Sequence, residues 1–130
     1  MVMAITGNIQ RGSIVYIELS PQAGYEQGGR RPALVVSDGI VNPGTLAQKF
    51  AAIVPLANTK REYPYHVPVP ENEIEINHPE EGVVFLTGQA LCEQVKALDM
   101  NQRNADVVGQ VDITSEFYKK VIAIVRSIFF

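Results

Sequence analysis

Thr114-Ser115-Glu116-Phe117-Tyr118-Lys119-Lys120-Val121-Ile122-Ala123-Ile124-Val125-Arg126-Ser127-Ile128-Phe129 is the stretch that decides the fold. Thr114 or Ser115 can cap a helix, and Glu116 puts a carboxylate in its first turn. Phe117, Val121, Ile124 and Ile128 then recur at helical spacing. Tyr118, Ile122, Val125 and Phe129 widen the apolar stripe, while Glu116, Lys119, Lys120, Ala123, Arg126 and Ser127 take the other face. A stripe this wide predicts a helix lying over the open side of a sheet.

Upstream of the helix the signals are for strands. Ser13-Ile14-Val15-Tyr16-Ile17-Glu18-Leu19 is β-branched and aromatic, and Ser20-Pro21 ends it. Ala33-Leu34-Val35-Val36 is a continuous apolar run that suits a strand buried on both faces. Thr45 to Phe50 reads as a short helical turn, and Ala51-Ala52-Ile53-Val54-Pro55-Leu56 as a third strand. Tyr65-His66-Val67-Pro68-Val69 alternates and is expected to pair back on strand three. Pro64, Pro68 and Pro70 place it at an edge. Glu71 to Glu81 reads as an acidic loop, with weak alternation at Glu73-Ile74-Glu75-Ile76. Gly82 to Leu86, an irregular Ala90 to Leu98, and Val107 to Val111 complete the strands. Strands do not alternate regularly with long helices, which argues against a doubly wound parallel sheet. The expected class is mainly β with a C-terminal helix (α+β): a small antiparallel barrel or strongly curved sheet, one domain over residues 1–130.

A chain of 130 residues can bury a core without disulfides, and its one cysteine, Cys92, rules out an internal disulfide. With no N-terminal apolar run suited to export or membrane spanning, the reading is cytoplasmic, with no membrane partner. The net charge of −3 does not mark a general nucleic-acid binder. The basic residues Arg30, Arg31, Lys49, Lys60 and Arg61 nevertheless precede the acidic cluster, so a locally basic face competes with plain solvated charge. His66 and His78 lack metal-ligand spacing, and phosphate-loop and dinucleotide motifs are absent. No metal or cofactor is expected.

Between the first two strands lies Gly24-Tyr25-Glu26-Gln27-Gly28-Gly29-Arg30-Arg31-Pro32. A reversing loop needs glycine but not a carboxylate, an amide and two guanidiniums. Pro32 restricts Arg31 to an extended backbone. Guanidinium forks match phosphate oxygens and stay charged. The competing reading pairs Glu26 with Arg30 or Arg31 at the surface.

Arg11 to Tyr16, then Gly24 to Ser37, resemble the opening of MazF/PemK (Kid)-type toxins of type II toxin–antitoxin systems. Val54-Pro55-Leu56, Tyr63-Pro64-Tyr65 and Cys92-Glu93-Gln94-Val95-Lys96-Ala97-Leu98-Asp99 are similar to later family blocks, in order. The resemblance implies an SH3-like barrel with a C-terminal helix, usually a homodimer. It implies a metal-independent, sequence-selective endoribonuclease that leaves 2′,3′-cyclic phosphate and 5′-hydroxyl ends on single-stranded RNA. A cognate antitoxin is expected to lay an acidic segment over the RNA groove. Arg31 matches the family's catalytic arginine. Tyr25, Glu26, Gln27, Glu93, Gln94 and Lys96 are the expected substrate contacts. The family's catalytic threonine or serine falls at Ala57, which has no hydroxyl. Thr59 or Asn58 is the expected replacement, with Lys60 or Arg61 holding phosphate. The alternative is a weakened or inactive SH3-like module that binds RNA or a protein partner.

Overall fold

The computed structural model describes residues 9–19, 29–41, 49–59 and 61–130. Among them run β1 (Ser13–Glu18), β2 (Arg30–Val35), β3 (Ile40–Val41), β4 (Lys49–Ala57), β5 (His66–Pro68), β6 (Glu75–His78), β7 (Gly82–Phe85), β8 (Gln89–Leu91), β9 (Lys96–Asp99), β10 (Asp106–Gln110) and α1 (Glu116–Phe129). A 3-10 turn at Cys92–Gln94 joins β8 to β9. No helix among these residues is long and apolar enough to cross a membrane.

The main sheet runs β10-β1-β2-β4-β8-β5, with β3 and β9 also on β4, and its ladders are antiparallel. Among the described residues no ladder joins β10 to β5, so the sheet is bent but open. The expected class holds, mainly antiparallel β with one C-terminal helix, while closure into a barrel does not. Ala33, Leu34 and Val35 of β2 are fully buried, Leu34 in one core and its two neighbours in the other. A strand covered on both faces needs a continuous apolar run, as the sequence has.

The nine-residue β4 is the hub. It pairs with β9 over Phe50–Ile53, with β2 over Ile53–Pro55, and with β8 at Leu56 and Ala57. Pro55 removes a donor at the changeover, where the strand leaves one partner for another. The expected single strand from Ala90 to Leu98 is therefore split. Leu56 pairs with Ala90 and Ile53 with Lys96, so three steps on β4 face six on the opposing β8–β9 segment. The three-residue 3-10 turn absorbs the excess.

Three further expectations are corrected. Lys49 and Phe50 open β4 rather than a helical turn, the rest of that segment lying outside the described residues. β5 is an edge strand but pairs with β8, His66 opposite Leu91, because β4 is already occupied. The acidic stretch is not wholly a loop: β6 forms a hairpin with β7, Glu75 opposite Phe85 to His78 opposite Gly82. Ile76 is buried beneath it at 4% exposure, and that apolar anchor outweighs the surrounding acids.

Ser115 is the N-cap of α1, its hydroxyl accepting from the Tyr118 N–H at 3.2 Å. Phe117, Tyr118 and Val121 pack into the same core as Leu34 and Leu56. The far end of the stripe is not covered: Ile128 is 39% and Phe129 63% exposed.

Candidate functional site

The changeover on β4 opens a cleft. Arg30, Arg31 and Pro32 pair with Glu18, Ile17 and Tyr16 of β1, but the β4 ladder begins only at Ala33. The β4 side of β2 is thus open at Arg31, and Pro32, which has no N–H, suits that position. The space holds about 430 Å³ and is lined by Tyr16, Arg30, Arg31, Asn58, His78 and Thr87, with Glu81 also on its wall. Arg31 is exposed there.

The two arginines divide at this point. Arg30 Nη2 binds Asp106 Oδ2 at 2.7 Å, and its Nη1 donates to the Asn104 carbonyl at 2.9 Å. Its guanidinium also lies 5.4 Å from the Tyr16 ring centre. Arg30 thus ties β2 to β10 across β1, a charge-assisted and half-buried link. The competing reading, Glu26 paired with Arg30 or Arg31, turns on Glu26, which lies outside the described residues.

The opposite wall is the β6–β7 hairpin. His78 ends β6, and its ring meets the Tyr16 ring edge-on, 5.2 Å between centres at 65°. Its Nδ1 accepts from the Glu80 and Glu81 N–H groups at 3.1 and 3.2 Å. Gly88 follows the cleft residue Thr87. Its φ is +101°, and a Cβ there would lie 2.2 Å from the Ala57 carbonyl oxygen. Only glycine permits that approach, which sets Thr87 beside the Ala57–Asn58 backbone.

Arg31 and Asn58 are therefore brought together by the fold. Thr59 lies just outside the cleft wall, its hydroxyl accepting from the Arg61 N–H at 3.3 Å in a local turn. Arg61 is exposed and also off the wall. Glu93, Gln94 and Lys96 belong to another group. Glu93 Oε2 accepts from His66 Nε2 at 2.9 Å, and Tyr63 packs edge-on against His66 with ring centres 5.0 Å apart. Gln94 ends the 3-10 turn, and Lys96 opens β9 opposite Ile53. His66 and His78 thus serve separate clusters. Tyr25, Glu26, Gln27 and Lys60 lie outside the described residues. Among the described residues no three His, Cys, Asp or Glu side chains gather as metal ligands.

Cys92 is fully buried in the core. Burial, and then the nearby Glu93 carboxylate, push its thiol up to about 12. It is a packing residue, not a nucleophile.

Sequence reasoning missed Tyr16, His78 and Thr87 as cleft residues. For His78 the signal was present, in the Ile74/Ile76 alternation followed by Pro79-Glu80-Glu81-Gly82, a turn sequence. For Thr87 there was none, since its place depends on Gly88 meeting a strand about 30 residues away in sequence.

An open antiparallel sheet with a covering C-terminal helix and an arginine-walled cleft is the class this geometry defines. Residues 10–129 match the family described as PemK-like, MazF-like toxin of type II toxin–antitoxin system, and the chain belongs to that family. It is 31% identical over 104 residues to the endoribonuclease EndoA of Bacillus subtilis (strain 168), covering 80% of this chain and 81% of that one. The crystal structure of MazF (Form-I) from Deinococcus radiodurans superposes with a TM-score of 0.71 at 24% identity, over 95% of this chain and 97% of that chain. A MazE–MazF structure (Form-II) from the same organism gives 0.67 at 20% identity, over 95% and 96%. At these identities the two structures speak for the fold alone.

Proposed function

We propose that this chain is the toxin of a toxin–antitoxin pair and acts as a metal-independent, sequence-selective endoribonuclease on single-stranded RNA. The observation that carries the reading is Arg31, exposed on a cleft wall with Asn58 and Thr87, in a chain related to a named endoribonuclease.

In the proposed reaction the ribose 2′-hydroxyl loses its proton and bonds to the neighbouring phosphorus. The bond from phosphorus to the 5′-oxygen breaks as that oxygen gains a proton. The products are a 2′,3′-cyclic phosphate and a 5′-hydroxyl. Charge builds on the phosphoryl oxygens in the transition state, and a fixed guanidinium beside them stabilises it. Arg31 has that role. A guanidinium holds its proton too firmly to serve as the acid. Asn58 and a threonine hydroxyl orient the phosphate where Ala57 offers nothing. Tyr25, Glu26, Gln27, Lys60, Arg61, Glu93, Gln94 and Lys96 remain proposed RNA contacts.

The test is cleavage of a long unstructured RNA. Arg31→Ala is expected to lower the rate by about a hundredfold or more, the scale of losing a transition-state donor. Thr87→Ala is expected to cost about tenfold, the scale of one hydrogen bond to a charged group, and Thr59→Ala less than about twofold. The reverse order assigns the hydroxyl to Thr59. RNA bound but left intact by the wild-type chain would favour the alternative reading, an inactive binding module.

The partners proposed are RNA, a cognate antitoxin and a second copy of the chain. The family is described as toxins of type II toxin–antitoxin systems, which supports the antitoxin. Exposed Ile113, Ile128 and Phe129 support a homodimer through apolar surface around α1. Sedimentation equilibrium should read a two-chain mass at micromolar concentration; a one-chain mass contradicts it. Messenger RNA as substrate places the protein in the cytoplasm.

A further inference from the structure

We propose that the β6–β7 hairpin is a working wall of the RNA cleft, with His78 a substrate-binding residue that donates a hydrogen bond from Nε2 to a phosphate oxygen. The inference rests on the RNA-cleaving reading above and adds to it a residue and an element.

The hairpin is anchored, not loosely appended. Ile76 is buried, and β6 crosses β10 at Gly109, where a Cβ would sit 3.0 Å from the Ile76 side chain and 3.1 Å from the Glu75 carbonyl oxygen. The glycine is what lets the two backbones approach. At the cleft end the His78 ring rests on Tyr16, the same ring that carries Arg30. One tyrosine therefore fixes the spacing between the hairpin and the arginine pair.

The hydrogen bonds then determine what the imidazole can do. Nδ1 accepts two backbone N–H groups, from Glu80 and Glu81. Its lone pair is committed to closing the hairpin turn, so the ring proton resides on Nε2. The second nitrogen is a donor and has no lone pair with which to act as a base. A donor beside Arg31 suits an anionic oxygen. Among the described residues, the charged or titratable groups around the ring are Tyr16 on β1, Arg30 and Arg31 on β2, and Glu80 and Glu81 in the turn. Arg30 is neutralised by Asp106. Arg31, exposed on the same wall, is a second cation for phosphate, and Glu81 repels it from the hairpin tip. A phosphate between Arg31 and His78 satisfies all of these.

Two substitutions separate the nitrogens. His78→Asn keeps an acceptor near Nδ1 and removes the Nε2 donor. His78→Gln keeps a donor near Nε2 and removes the cap. The probe is an oligoribonucleotide carrying the site mapped with the wild-type protein, with deoxyribose at the scissile position so that it binds uncut. His78→Asn is expected to weaken binding about tenfold with an unchanged melting temperature, and His78→Gln less than about threefold, in line with one hydrogen bond to a charged group. The kcat/KM–pH profile of His78→Asn should parallel the wild type. The opposite order, Asn neutral and Gln weak, makes His78 a turn cap and overturns the proposal. Loss of an ionising limb in His78→Asn makes it a base and also overturns it. If the wild-type protein neither binds nor cuts RNA, this inference falls with the reading beneath it. If it cuts RNA and His78→Asn binds equally well, this inference alone falls.

Discussion

Arg30 and Arg31 are adjacent, chemically identical, and have different work. The sequence marks both as a phosphate-seeking pair, and Pro32 points to an extended Arg31; in the structure both arginines are extended in β2. Asp106, 76 residues beyond Arg30, engages the first guanidinium with its carboxylate at 2.7 Å. No local pattern announces that pairing, because it depends on β1 lying between β2 and β10. Cys92 was legible by contrast, since a lone cysteine within an apolar run is usually a core residue. Its pH behaviour follows. The unfolded chain releases the thiol proton near the ordinary 9.0, whereas burial holds it to about 12 in the folded chain. The folded state binds the extra proton in that window, so this contribution to stability is complete below 9 and is lost as pH rises toward 12. Urea melts should show wild-type stability falling across alkaline pH more steeply than that of Cys92→Ala. Parallel slopes would place the thiol in a more polar setting.

At the scale of elements, the strands with strong β-branched runs and the capped helix were readable. Ser13–Glu18 and Glu116–Phe129 lie within a residue or two of their expected bounds. The errors fall where one strand changes partner. β4 leaves β2 for β8 at Pro55, and the chain opposite must break into two strands and a 3-10 turn to follow it. That is a consequence of tertiary pairing, invisible to periodicity. The β6–β7 hairpin was obscured by its charge: its acids face solvent, and one buried isoleucine decides the matter. The partner change predicts a sensitive point at Gly88. Alanine there meets both a left-handed backbone, φ +101°, and the Ala57 carbonyl. Gly88→Ala should destabilise by about 1–3 kcal/mol, the ordinary cost of such backbone strain. It should also slow RNA cleavage by displacing Thr87. A shift below about 0.5 kcal/mol in urea unfolding, the level of an ordinary surface change, would mean that the crossing is not tightly packed.

The whole molecule is a bent, open antiparallel sheet covered on one face by the start of α1, with its cleft at the strand changeover. Class and helix were legible in the sequence; the lack of closure was not, because which edges meet depends on summed twist. Of the residues expected at the site, Arg31 and Asn58 line the cleft, while Glu93 is paired with His66. The hairpin wall and Thr87 joined the cleft from segments whose placement only the packed sheet determines. The central claim, that Arg31 in this cleft promotes attack by a neighbouring 2′-hydroxyl without metal, is tested most directly by reading the ends of cleaved RNA. In excess EDTA the fragments should carry 2′,3′-cyclic phosphate and 5′-hydroxyl termini, and Arg31→Ala should suppress them by about a hundredfold or more. Fragments with 3′-hydroxyl and 5′-phosphate ends, or cleavage that requires added magnesium, would contradict it.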